Sequence, residues 1–347
     1  MFEQLLRSWD GEHAVVRHDA SSGAWIFVCV HSTVLGPAGG GTRMRVYPTP
    51  ADGLADALRL SAAMTQKMAA AGVERGGGKA VLAVPALPEG DARRALLHRY
   101  GELVTSLGGS FRTAGDMNVS PADLDLVAER CPWVYGTTGR GGDSGRGTAR
   151  GVLHGIRAAV EHAFGSADLK GRTVLVQGAG AVGGPLARAL CGEGAKVLVS
   201  DVDAARAAAA ELETVPAAEA IGTECDVYAP CAVGGTLSAE TVPQLRCRVV
   251  AGSANNQLAS PEDAERLHER GILYAPDYVV NAGGVIQLIG LEDEGWDEAE
   301  LEQGLARIGD SLRELLAEAA AEGITPVAAA ERLVARRLAE AATRRAG

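Results

Sequence analysis

Two lysines and an aspartate, one of the lysines and the aspartate directly after glycine, suggest chemistry rather than packing in this chain. They are Lys67 in Met64-Thr-Gln-Lys67, Lys79 after Gly76-Gly-Gly78, and Asp116 after Gly115. An ammonium group that is partly desolvated, or that shares a cleft with a second ammonium group, loses proton affinity and approaches the range a base needs near neutral pH. Lys79 is the better candidate for that shift. The glycines before it admit a ligand at close range, and Ala80-Val-Leu-Ala-Val84 after it reads as a buried strand. Taken alone, a lysine snorkelling from a strand end and an aspartate in a turn account for the same residues.

A second constellation lies downstream. Gly178-Ala179-Gly180-Ala181-Val182-Gly183 follows the strand-like Thr173–Gln177, precedes a helical run to Cys191, and is followed by Asp201 at the end of the next strand. Gly178 permits a tight turn, Gly180 lets backbone approach a pyrophosphate, and Gly183 lets helix and strand pack closely, while the helix N-terminus attracts phosphate. An acid about 20 residues on accepts hydrogen bonds from the adenosine ribose and repels a 2′-phosphate, which predicts NAD rather than NADP. Arg206 argues the other way. Ligands in such sheets sit beyond the carboxyl ends of the strands. There Cys231, Ala251, Asn255 and Asn281 offer small side chains and amides to a nicotinamide, although paired asparagines also serve as helix caps.

The elements that must position these groups follow from pattern. Ala14–His18 and Ala24–Val30 read as a hairpin, and Thr49-Pro50 caps a helix reaching Ala71 with Lys67 near its end. A helix over Asp91–Leu107, a strand over Ser110–Thr113 and a capped helix start at Ser120-Pro-Ala-Asp123 come next. Gly139–Gly147 is too rich in glycine to build a core and reads as a linker or hinge. Beyond it, strands at Thr173–Gln177, Lys196–Ser200, Asp226–Ala229, Arg248–Ala251 and Ile272–Tyr274 alternate with helices. Helices from Leu301 and over Glu331–Ala342 close the chain. The expected fold is α/β: an N-terminal α/β substrate domain (1–140), a doubly wound Rossmann domain (141–324), and a final helix, about 325–347, packing back on the first, with the cleft between the two.

Composition narrows the class. The chain has 347 residues, a formal charge of -11, 47% apolar and 4% aromatic residues. The acidic balance and lack of a basic footprint argue against nucleic acid. No apolar run of about 18 residues suggests a membrane span, and no leader-like segment opens the sequence, so a cytoplasmic protein is expected. Six scattered cysteines form no Cys-x-x-Cys pair and seven histidines no ligand cluster, so no metal is expected.

Together, Gly36-Pro-Ala-Gly39-Gly40-Gly41-Thr-Arg43, Met64-Thr-Gln-Lys67, Gly76-Gly-Gly-Lys79, Gly115-Asp116 and Tyr274-Ala-Pro-Asp-Tyr-Val-Val-Asn281-Ala-Gly-Gly284 resemble the amino acid dehydrogenase superfamily of glutamate, leucine, valine and phenylalanine dehydrogenases. The resemblance implies NAD-dependent oxidative deamination of an L-amino acid. It places Lys67 and the backbone at Gly40 and Gly41 on the substrate carboxylate, and makes Lys79 the general acid/base. Asp116 would move protons to and from the substrate nitrogen. Arg43 and Thr148 match cofactor-side positions, Asn255 and Asn281 match asparagines near the nicotinamide and the substrate, with Asn281 contacting both, and homo-oligomerisation is implied.

In glutamate enzymes the position of Gly39 carries a lysine for the side-chain carboxylate, so glutamate is disfavoured here. Leucine-type enzymes carry leucine there; a glycine would deepen the pocket and Gly115 would widen it. The expected substrate is therefore phenylalanine or a related bulky amino acid, with Met64, Met117, Val285 and Leu288 shaping the site. Branched aliphatic substrates are the alternative, and a catalytically silent NAD-binding regulator is the rival outside enzymes. A 2-hydroxy acid dehydrogenase would want a catalytic histidine, and His268 in a helix-like run is a poor one.

Overall fold

The computed structural model describes residues 2–346, which divide into two compact units. The first takes residues up to Asp143, together with Leu291–Gly295 and the chain from Ala335 onward. After helix α1 (Phe2–Arg7) it contains β1 (His13–Asp19), β2 (Ala24–Ser32), β3 (Ala38–Arg45), α2 (Pro50–Ala71), β4 (Gly76–Ala83), α3 (Gly90–Thr105), β5 (Phe111–Gly115) and α4 (Pro121–Ala128). The sheet order is β1-β2-β4-β3-β5. β1, β2 and β4 pair antiparallel, while β3 runs parallel to both β4 and β5.

Alternation along the strands splits the core in two. Ile26, Val28 and Leu82 pack with Leu96, Leu97, Tyr100 and Phe111 on one face. On the other, Phe27, Cys29 and Val81 pack with Leu54, Ala57 and Leu58 of α2. Lys79, two residues before Val81 and opposite Cys29, belongs to this second face. Capping boxes at Thr49/Asp52 and Ser120/Asp123 fix where α2 and α4 begin, each followed by proline at the first turn.

The short return of Leu291–Gly295 to this unit has a polar cause. Asp293 receives Arg75 at 2.5 Å, together with Arg112 and the Tyr135 hydroxyl, and Arg112 lies over the rings of Trp133 and Tyr135. At the C-terminal end of α2, Arg337 donates to the carbonyls of Ala69 and Ala70 at 2.8 and 2.7 Å, a cation where the helix leaves acceptors open.

The second unit covers Ser144–Gly290 and Trp296–Val334. It comprises α5 (Gly145–Phe164), β6 (Thr173–Gln177), α6 (Gly183–Gly192), β7 (Lys196–Ser200), α7 (Ala204–Ala208), β8 (Glu213–Thr214), β9 (Val227–Pro230), β10 (Val249–Val250), α8 (Glu262–Glu269), β11 (Leu273–Tyr274), α9 (Asp277–Val280), α10 (Gly283–Glu292), α11 (Glu298–Glu322) and α12 (Pro326–Ala346), the last continuing past Val334 into the first unit's share of the chain. Six parallel strands in the order β11-β10-β9-β6-β7-β8 make the doubly wound sheet.

One expectation needs correcting. The stretch Gly139–Gly147 is not hinge throughout, because α5 begins at Gly145. Gly147, Gly151 and Gly155, one per turn, form a stripe on which a β-carbon would run into Gln287 and the Gly283 backbone, into Ile308, and into Val280. These glycines serve close helix packing. No helix among the described residues is long and apolar enough to cross a membrane.

Candidate active site

A buried lysine in the first unit stands at one end of a chain of ion pairs. β4 delivers Lys79, whose side chain is 7% exposed, and its Nζ lies 3.1 Å from Asp116 Oδ2 just past the end of β5. The same oxygen accepts Arg43 Nε from β3 at 2.7 Å. The other prong of Arg43, Nη1, reaches Asp56 Oδ2 on α2 at 2.9 Å, and the Tyr47 hydroxyl donates to that oxygen at 2.7 Å. Two cations and two anions thus alternate: Lys79, Asp116, Arg43, Asp56.

Burial is the largest influence on Lys79 and pushes its pKa down; Arg43 adds to the fall and Asp116 opposes it. Burial alone would raise Asp116, but Lys79 and Arg43 together bring it down to about 2, so it is an anion throughout the working range. The outcome is an amine of reduced proton affinity held against a carboxylate, an arrangement suited to proton transfer at a lower pH than a free lysine allows.

The glycine run Gly39–Gly41 lies on β3 between β4 and β5, and Met64, Lys67 and Met68 share a face of α2 at i, i+3, i+4 spacing. The structure bears on two size arguments from the sequence. A β-carbon at Gly39 would stand 3.1 Å from the Met68 methyl, so the space beside this glycine is bounded by Met68. A β-carbon at Gly115 would meet the Val119 carbonyl at 2.9 Å and Leu124, so this glycine accommodates the start of α4 and does not widen a pocket. Met117 is 47% exposed.

In the second unit the expected cofactor residues gather at the carboxyl ends of β6, β7, β9 and β10. Gly178 has φ 101°, a conformation that disfavours side chains, and above Gly180 there is open space within 4 Å. Gly183 packs against the Gly178 carbonyl and Cys231. Ala181 and Val182 complete the turn into α6. Asp201 Oδ2 accepts the Ala179 N–H at 2.8 Å and Oδ1 the Asp203 N–H at 2.9 Å, which ties the acid to the glycine loop. Arg206 stands 3.8 Å from Asp201, loosely and half-exposed.

Past β10, which Ala251 follows, the Asn281 amide donates to the Ser253 carbonyl at 3.2 Å and to Asn255 Oδ1 at 2.9 Å. Its own Oδ1 is buried without a partner, an acceptor left for a ligand donor such as a carboxamide. Thr148 on α5 abuts Gly284 at the start of α10, which also carries Val285 and Leu288. The open glycine loop, the anchored acid and the orphaned amide oxygen fit a dinucleotide.

Arg43, expected among the cofactor contacts, has its guanidinium engaged by Asp116 and Asp56. Asp56, Tyr47 and Met68 were not singled out in the sequence. A signal existed for Asp56: it lies eleven residues before Lys67, three turns along one stripe of α2.

The family profile described as "Glutamate/Leucine/Phenylalanine/Valine dehydrogenase" matches residues 199–346, and that of the "Glu/Leu/Phe/Val dehydrogenase, dimerisation domain" matches residues 16–133. The chain belongs to this family. A valine dehydrogenase of Streptomyces albus is 45% identical over 98% of this chain and 96% of that protein. A leucine dehydrogenase of Geobacillus stearothermophilus is 39% identical over 96% and 92%. Among solved structures, an L-tryptophan dehydrogenase from Nostoc punctiforme superposes with a TM-score of 0.83 at 36% identity, covering 98% of this chain and 99% of that one.

The protein is thus an amino acid dehydrogenase, an oxidoreductase acting on the CH–NH2 group with NAD as cofactor. The phenylalanine preference expected from the sequence gains no support from the valine and leucine relatives. In this dehydrogenase, Asp201→Ser should raise NADP efficiency relative to NAD by about tenfold, the size of one modest charge interaction removed. Steady-state kinetics with both cofactors checks this; an unchanged ratio would remove Asp201 from the ribose-reading role.

Proposed function

We propose that the dehydrogenase oxidatively deaminates branched aliphatic L-amino acids, valine and leucine first, to the 2-oxo acids with release of ammonia, reversibly. The observation that supports this reading is the Met68 methyl, 3.1 Å from where a β-carbon at Gly39 would stand, which we read as one wall of an aliphatic side-chain pocket. The valine and leucine dehydrogenase relatives support it.

Lys67, with the backbone at Gly40 and Gly41, holds the substrate carboxylate. NAD supplies the hydride acceptor, and the glycine loop, Asp201, Thr148, Cys231, Ala251, Asn255 and Asn281 are the residues assigned to hold it. Once the α-carbon has lost hydride, Lys79 as the free amine takes a proton from water, whose oxygen attacks the iminium carbon. Asp116, a carboxylate at rest, takes up a proton of the substrate nitrogen only transiently and returns it to the nitrogen, which leaves as ammonia when the carbonyl forms. The first unit is the substrate domain in this reading, and self-association is assigned to the segment matched by the dimerisation-domain profile.

NADH formation across L-valine, L-leucine, L-phenylalanine, L-tryptophan and L-glutamate tests the specificity. Valine and leucine should exceed the aromatic substrates in kcat/KM by about tenfold or more, the worth of one or two misfitted methylenes. The likeness to an L-tryptophan dehydrogenase is the reason to include tryptophan, and an aromatic optimum would overturn the assignment.

A further inference from the structure

Arg43 has more structure around it than an incidental surface arginine. It is mostly buried, with 17% of its side chain exposed, and it bridges the carboxylate next to Lys79 to a second carboxylate, 13% exposed, on α2. Asp56 is itself fixed by three donors: Arg43, the Tyr47 hydroxyl at 2.7 Å and Arg59 at 2.8 Å on its other oxygen. Both Arg43 and Lys79 bind the same oxygen of Asp116, which keeps the two cations within about 6 Å of each other.

We propose that Arg43, braced by Asp56, is a positioning residue that holds Asp116 against Lys79 and, together with Asp56, balances the charge this lysine feels. The inference rests on the reading of Lys79 as the proton-transfer group. Its geometry has two consequences. Arg43 occupies one lone pair of Asp116 Oδ2, so the carboxylate stays oriented when Lys79 gives up its proton and its own hold on the oxygen weakens. A fixed guanidinium nearby also favours the neutral amine, while Asp56 limits that effect.

The other groups facing Lys79 do not duplicate this role. From β2, Cys29 opposes it, and burial keeps that thiol protonated by pushing it up to about 12. From α2 come Asp56 with its exposed partner Arg59, and Lys67 three turns further along. From β5 comes Asp116, and after β3 Tyr47, which burial and Asp56 keep neutral.

The test is a pair of substitutions with opposite expected signs. Arg43→Gln removes a positive charge and should raise the pH at which Lys79 titrates by about one unit; Asp56→Asn removes a negative charge and should lower it by a smaller amount. Arg43→Lys keeps the charge and should restore the titration close to wild type, while its loss of the two-pronged bridge still lowers kcat. The readout is the pH dependence of Lys79 acetylation by trace acetic anhydride, followed by peptide mass spectrometry, beside the pH profile of kcat/KM for L-valine.

Opposed shifts in the Lys79 titration support the inference. If the kinetic limb moves in step, the base assignment stands too; if the lysine moves and the kinetic limb does not, the charge balance stands and the base assignment fails. Shifts of the same sign in the two variants, or no shift in folded protein, overturn the inference. Should Arg43→Gln fail to fold, Asp56→Asn must still shift Lys79 downward, and its failure to do so overturns the proposal by itself.

Discussion

Lys79→Ala is expected to reduce kcat for oxidative deamination by about three orders of magnitude, within the range that a positioned acid–base group contributes. NAD affinity should stay near the wild-type value, because the residues assigned to the cofactor belong to the second unit. The pH profile gives the sharper check. With Lys79 intact, deamination falls as pH drops through the lowered pKa of this buried amine, because the protonated form cannot accept a proton. The alanine variant should lose that limb, and added small primary amines should restore part of the rate. Asp116 keeps Arg43 as a partner in this variant, so the loss is not attributable to an orphaned carboxylate. Turnover within tenfold of wild type would remove Lys79 from the mechanism.

Met68→Ala is expected to move the substrate preference. The side chain is 3% exposed and its methyl bounds the space beside Gly39, so truncation removes three heavy atoms from the wall of the proposed pocket. Each methylene in such a pocket is worth about 1–3 kcal/mol of discrimination. The ratio of kcat/KM for L-phenylalanine to that for L-valine should therefore rise by about a hundredfold. The substitution also costs about 2–5 kcal/mol of stability as a buried large-to-small change. Met68→Leu, nearly conserving volume, is the control: it should keep both the fold and the aliphatic preference. A folded Met68→Ala enzyme with an unchanged ratio would mean that Met68 does not bound the substrate side chain.

These two residues also show what could be read from the chain beforehand. Lys79 was legible because its signals are local: three glycines, a charge, then a buried strand. The Gly178–Gly183 loop was legible for the same reason, as were the capped starts of α2 and α4, since a cap, a proline and an acid three residues later act within one turn. The approach of Met68 to Gly39 was not legible, because it joins positions on a strand and a helix that only the fold brings together. The stretch Gly139–Gly147 holds the division between the units, at Asp143 and Ser144, but its last glycines belong to α5. The spacing of Gly147, Gly151 and Gly155 at one per helical turn was the signal for that helix, and Gly283, Val280 and Ile308 on the facing segments explain it. Arg43 and Asp56, thirteen residues apart across a strand end and a helix, needed tertiary structure to be seen as a pair.

In the reaction assigned to this chain, hydride leaves the α-carbon of an L-amino acid and its nitrogen is released as ammonia. The most direct measurement supplies L-[2-2H]valine and NAD, then determines deuterium in the reduced cofactor by mass spectrometry and ammonia in the same sample. One deuterium per reduced cofactor, with equimolar ammonia and 2-oxo acid, is the expected result. Reduced cofactor that carries no deuterium, or that forms without ammonia, would contradict it.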